Sequence, residues 1–142
     1  MEKEIELRLA HEGDLSLLEK IGDSLFDFPV KPERALEFLK DHRHHLMLAF
    51  VGGQLVGMAS GFHYVHPDKD SILFVNEVSV LDSFRNRGIA RKMVGHLVSH
   101  GKDLGCAEAW VATEASNVPA RKAYKAAGGV EEEEPIVLIE FE

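Results

Sequence analysis

The chain has a single cysteine, Cys106. It therefore cannot close an internal disulfide or supply a cysteine-based zinc site, and a reducing cytoplasm is the expected compartment. Long hydrophobic runs are missing. The longest, Leu46 to Val51, falls far short of the roughly 18 apolar residues of a membrane helix. The opening residues Met1-Glu2-Lys3-Glu4 are charged and lead into no apolar stretch of a secretion signal. Repeats, Gly/Ser-rich linkers and low-complexity tracts are absent. The 142 residues thus read as one domain, 1–142. Positive charge is scarce as well: 16 Lys and Arg stand against 24 Asp and Glu, a net charge of −8. That balance argues against a nucleic-acid partner or an anionic membrane surface.

What charge there is falls unevenly. From Ser83 to Lys102 the chain carries Arg85, Arg87, Arg91, Lys92 and Lys102 and no acid, whereas after Lys125 it carries only acids: Glu131 to Glu134, Glu140 and Glu142. A basic island in an acidic protein suits an anionic ligand. The acidic remainder suits a cationic one, or is simply a solvated surface.

Hydrophobic spacing predicts the order β α α β β β α β α β. Strands are expected at Ile5–Leu9, Leu46–Val51, Leu55–Val65, Ile72–Leu81, Ala107–Ala112 and Ile136–Phe141. The Gly52-Gly53 pair marks a hairpin turn. Helical spacing places Leu15, Leu18, Ile21, Gly22 and Leu25 on one face. Further helices are expected over Pro32–Lys40, Arg87–Leu104 and Asn117–Ala127, the last with an asparagine cap and proline in its first turn. Alternating strands and helices of this kind give a mixed α/β sheet flanked by helices.

The sharpest local feature is the stretch Val78-Ser79-Val80-Leu81-Asp82-Ser83-Phe84-Arg85-Asn86-Arg87-Gly88-Ile89-Ala90. A strand ends, a short turn follows, and an amphipathic helix begins beside a glycine. Helix N-termini present unpaired N–H groups to anions. Gly88 permits close backbone approach, and the arginines add charge. No Gly-Lys-Ser/Thr follows, and the spaced glycines of a dinucleotide fingerprint are absent.

Arg85-x-x-Gly88-x-Ala90 after a valine-rich strand resembles the (Q/R)-x-x-G-x-(G/A) acyl-coenzyme A motif of the GNAT superfamily of N-acetyltransferases. Asn117-x-x-Ala120-x-x-x-Tyr124-x-x-x-Gly128 resembles a second family signature, in the expected order. Gly128-Gly129-Val130 departs from the Gly-Phe common at that point. The resemblance implies a GNAT-like mixed sheet of about six to seven strands with about four flanking helices. It also implies transfer of an acetyl group from acetyl-CoA to an amine by direct attack, without a metal. On the same resemblance, Val78, Ser79 and Val80 would pair with the pantetheine arm. Arg85, Asn86, Arg87, Gly88, Ile89 and Ala90 would hold the pyrophosphate, and Asn117 would cap its helix and contact the pantetheine. Tyr124 would protonate the departing thiolate. Glu77, an acid in an otherwise apolar strand, is the candidate base, because an ammonium must lose a proton before it attacks and partial burial raises a carboxylate's pKa.

Other polar residues receive quieter readings. Cys106 has no evident activating partner and reads as structural. His42, His44 and His45 read as a solvated turn rather than a metal site. His63 and His66 border the acceptor side that the resemblance implies, and Trp110 is expected in the core. At the level of branch, the pattern resembles type I aminoglycoside 3-N-acetyltransferases. The expected acceptor is a small cationic amine, an aminoglycoside first. Polyamines, amino sugars and peptide or protein amines remain alternatives, as does a non-catalytic acetyl-CoA sensor. Dimerisation is common in such proteins, and the apolar Ile136–Ile139 stretch leaves a homodimer open.

Overall fold

β1 (Ile5–Leu9) alternates half-buried and exposed residues along its length, the pattern of a strand with one face against a core. It is the outer strand of a five-stranded sheet of order β1-β2-β3-β4-β5, seen in a computed structural model that describes residues 4–21 and 24–142. β2 (His44–Val51), β3 (Gln54–Tyr64) and β4 (Ile72–Val80) follow as antiparallel neighbours, and β5 (Glu108–Val111) joins β4 in parallel. Gly52 and Gly53, at φ of 57° and 80°, form the two-residue loop between β2 and β3. Two consecutive positive φ angles match the right-handed twist of a tight hairpin.

Among the described residues four α-helices flank the sheet. α1 (Leu15–Ile21) and α2 (Pro32–Lys40) precede β2, α3 (Ile89–Asp103) links β4 to β5, and α4 (Val118–Ala126) follows β5. Alternation along the strands divides the core in two. On one face Met47, Ala49, Leu73 and Val75 pack against Ile89, Met93 and Leu97 of α3. On the other, Leu46, Leu48 and Met58 pack against Leu18 of α1 and Leu25. Asp14, buried just before α1, accepts two hydrogen bonds from the Arg8 guanidinium at 2.8 and 2.7 Å and one from the His11 N–H at 2.8 Å. These bonds hold its carboxyl below the usual range and fasten the helical side to β1.

The predicted elements up to α4 are present, with ends shifted by a few residues. Gly22 lies outside the described residues. The expected strand at Ile136–Phe141 does not form, so among the described residues the sheet has five strands rather than six or seven. Its side chains point into solvent instead, with Leu138 82% and Phe141 94% exposed. Periodicity identifies a segment able to pair but not a partner edge within reach. Here four glutamates in succession and Pro135, which lacks an N–H, precede the segment.

Two side-chain expectations also fail. Trp110 is 46% exposed, because it lies at the sheet's last strand with no helix over it. His44 and His45 belong to β2 rather than a turn, and His45 is buried. Its Nε2 lies 2.8 Å from His63 Nδ1 across the β2–β3 pair, and the ring of His100 from α3 meets it edge-on at 5.0 Å. One proton serves the His45–His63 bond, and a second would set two N–H groups against each other.

Burial, reinforced by repulsion from His100, His63 and His44, pushes His45 down to about 4 from an ordinary 6.5. The unfolded chain therefore takes up a proton at a pH where the folded chain does not. Stability present above pH 6.5 is lost as pH falls through about 4. His45→Leu is expected to reduce this pH dependence by about one proton, measured by urea unfolding at pH 7, 6 and 5. An unchanged slope would refute the assignment.

Candidate functional site

The sheet's regular pairing breaks at one point in β4. Ser60 faces Glu77 while the next residue, Gly61, faces Val75, so Asn76 is an extra residue on the β4 side. Such a β-bulge bends a strand and re-aims the side chains beyond it. Its consequence for Glu77 is direct: the Glu77 N–H donates to the Ser60 hydroxyl at 3.2 Å. Parallel pairing with β5 also ends there. Ile72 to Val75 pair with Glu108 to Val111, and the pairing does not extend to Val78, Ser79 and Val80. The side of those three residues that faces away from β3 is thus open among the described residues. β4 and β5 are paired only as far as Val75 and Val111, so Trp110 belongs to the paired portion.

Glu77 remains accessible to solvent. Partial desolvation nevertheless raises its pKa above the ordinary 4.5, and the negative charge of Asp27 adds to the rise. Asp27 follows Phe26, which packs against the core on the α1/α2 side. Val78 and Val80 turn their side chains the other way, into the core beside α3. Glu77 therefore opens toward the α1/α2 side.

Beyond Val80 the chain makes a short 3-10 turn, Asp82–Phe84, and enters α3. Asn86 and Gly88 both adopt left-handed conformations, at φ of 63° and 76°. Gly88 is the N-cap residue and offers no side-chain cap. The first N–H groups of α3, at Ile89 and Ala90, have no carbonyl of the preceding turn to bond. A Cβ at position 88 would sit 3.3 Å from the Arg91 guanidinium. These features leave an uncapped, backbone-lined cradle that fits an anion with several oxygens. Arg85 is partly neutralised, with Asp82 at 3.1 Å, and Arg87 lies over the Phe84 ring at 5.0 Å.

The Asn117 side chain accepts from the Ala120 N–H at 3.2 Å and caps α4. Tyr124 lies half-buried on that helix, and burial raises its pKa above 10.0. Cys106 is buried and its thiol is pushed upward by desolvation, which fits a structural residue. His63 is engaged with His45, and His66 Nε2 is buried without a partner among the described residues. No group of three or more metal-ligating side chains able to hold an ion is found among them. Sequence reasoning missed Ser60, Asp27 and the bulge itself. Neither a serine in an apolar strand nor an acid in a Phe-Asp-Phe-Pro loop advertises a role, and a bulge has no residue signature of its own.

Residues 15–128 match the profile described as "Acetyltransferase (GNAT) family". Among curated proteins, L-2,4-diaminobutyric acid acetyltransferase of Oceanobacillus iheyensis is 39% identical over 66 residues, 46% of this chain and 35% of that protein. Aminoglycoside N(6')-acetyltransferase type 1 of Salmonella typhimurium is 30% identical over 93 residues, 63% of this chain and 64% of that protein. The chain thus matches about a third and just under two-thirds of these relatives' lengths. Among solved structures, the aminoglycoside N-acetyltransferase AAC(6')-Iy in complex with CoA superposes with a TM-score of 0.78 at 23% identity, covering 99% of this chain and 97% of that one. The named aminoglycoside relatives are of the 6' class, which corrects the 3-N branch expected from sequence.

Removal of the Asp27 charge is expected to lower the Glu77 pKa in Asp27→Asn. Carboxyl carbon NMR titration reads this directly. A Glu77 midpoint that does not fall on substitution would show that Asp27 does not act on it.

Proposed function

The chain belongs to the acetyltransferase (GNAT) family, and from that premise we propose that it is an N-acetyltransferase. It moves an acetyl group from acetyl-CoA to a primary amine of a small cationic acceptor, with aminoglycosides the first class to test. One observation carries the reading. A single strand, β4, bears a carboxylate of raised pKa at its bulge, an open backbone edge just beyond it, and the uncapped start of α3 at its end.

Acetyl-CoA supplies the activated acetyl group. Open backbone groups at Val78, Ser79 and Val80 hold its pantetheine arm, aided by Asn117. The turn from Arg85 to Ala90 receives the pyrophosphate on backbone N–H groups, with guanidinium charge nearby. Glu77 Oε accepts the proton of the acceptor's ammonium, directly or through a water. Its raised pKa brings it closer to the working range of a general base. The Tyr124 hydroxyl keeps its proton because burial raises its pKa, and it donates that proton to the departing sulfur. The curated relatives support an amine acceptor, since both are named for amine-bearing molecules. The exposed Ile136–Phe141 segment supports a homodimer in which a second copy covers it. No helix is long and apolar enough to cross a membrane among the described residues.

Coenzyme A release, measured with acetyl-CoA and an amine panel, tests the reading. Glu77→Gln is expected to lower kcat by about 100-fold and leave acetyl-CoA binding intact. Tyr124→Phe should lower kcat by about tenfold. Gly88→Val, which places a branched side chain in a left-handed position against Arg91, should weaken coenzyme binding instead. Full turnover in both Glu77→Gln and Tyr124→Phe would sink the proposed chemistry.

A further inference from the structure

A row of aromatic rings crosses the sheet face toward which Glu77 opens, and none of the chemistry above uses it. His44 on β2, Phe62 on β3, Phe74 on β4 and Trp110 on β5 succeed one another with ring centroids 5.6, 5.2 and 4.4 Å apart. Phe38 of α2 meets the His44 end at 5.2 Å, which fixes the row to the α1/α2 side. The Trp110 end is uncovered. Its indole is nonetheless held in place, because Nε1 donates to the Tyr64 hydroxyl at 3.0 Å. Phe62 stands 5.9 Å from the Tyr64 ring. The result is a fixed indole, backed by Phe74 and open to solvent.

The surroundings select what stacks there. Glu77 and Asp27 lie on this side of the sheet, and Glu108, two residues before Trp110 on β5, shares its face. Aromatic faces attract cations and pack against the C–H faces of rings, while these carboxylates favour ammonium groups over anions. Phe74, beside Trp110 in register, precedes Glu77 by three residues, about 10 Å along a strand. A compact amine cannot reach both groups. A linear polyamine can span them but brings no ring to stack.

We propose that Trp110, held by Tyr64 and Phe74, is a specificity-determining binding residue that takes the ring of a polycationic amine, about 10 Å from the amine presented to Glu77. Only the identity of Glu77's reacting amine rests on the acetyltransferase reading. The stacking surface stands apart from it.

Trp110 is the chain's one tryptophan, so its emission reports occupancy of this surface without turnover. Titration of the wild-type protein with neamine, a two-ring polycationic amine, should change that emission saturably. Spermidine at equal concentration should leave it unchanged. In coenzyme A release, Trp110→Ala should raise KM for neamine by about tenfold, keep kcat within about twofold, and leave KM for spermidine unaltered. Trp110→Phe, which keeps a stacking face and the packing on Phe74, should recover most of the loss. Emission that stays flat with neamine overturns the proposal whatever the assay shows. So does a KM change shared equally by neamine and spermidine. A saturable emission change without acetyl transfer to neamine or to any amine of the panel supports the stacking surface and sinks the acetyltransferase reading instead.

Discussion

At Ser60 two residues of β4 oppose one of β3, and the geometry of the site follows from that mismatch. An unbroken ladder would keep β4 paired along both edges and leave no backbone group available beyond Val75. The parallel pairing with β5 ends at Val75, beside the extra Asn76, and Glu77 follows at the opening. A bulge commonly strands an N–H, and a buried unpaired donor costs about 1–3 kcal/mol. The Ser60 hydroxyl meets the Glu77 N–H and removes that cost. The irregularity is therefore stabilised from within the sheet, by a side chain of the neighbouring strand.

The sheet then works as a partition. Val78 and Val80 anchor β4 to the α3 side, where the basic turn and the uncapped helix start lie. Glu77 faces the α1/α2 side, with Asp27 and the aromatic row. Under the proposed reaction, the anionic coenzyme and the cationic acceptor would approach opposite faces of the same strand. They meet only where β4 and β5 separate. The acid-free stretch from Ser83 to Lys102 thereby lies on the side of β4 opposite Glu77 and Asp27.

Local chemistry was readable from the sequence wherever a residue type has few conformational options. Pro32 starts α2, Asn117 caps α4, Gly52-Gly53 turns the hairpin, and the Arg85 to Ala90 segment marks the helix start. The α/β class and the elements through α4 followed from periodicity for the same reason. What stayed hidden depends on contacts between distant segments. Asp27 acts on Glu77 only because the loop after α1 returns over β4. His45 and His63 are 18 residues apart and His100 farther still, so their clustering has no local signal. Trp110 looks like a core residue by type, and only its place on the last strand exposes it. The Ile136–Phe141 segment shows the reverse error, since a sequence well suited to a strand pairs with neither edge strand of the sheet.

That last segment is tethered at its base. Glu131 receives the Arg121 guanidinium at 2.7 and 3.0 Å, and Lys125 stands at 3.3 Å. The three glutamates that follow separate this anchor from Pro135 and the apolar stretch. Short β-prone apolar segments are the nuclei of aggregation, and flanking charges act as gatekeepers against it. Like-charge repulsion between these glutamates opposes unpaired strand-on-strand stacking of the apolar stretch, so that only a partner surface able to accommodate the acids would cover it. That repulsion weakens as salt screens it, with a Debye length near 10 Å at about 0.1 M and about 3 Å at 1 M. The gatekeeping at this short stretch of chain is thus sensitive to ionic strength, in addition to the solubility that the net charge of −8 provides.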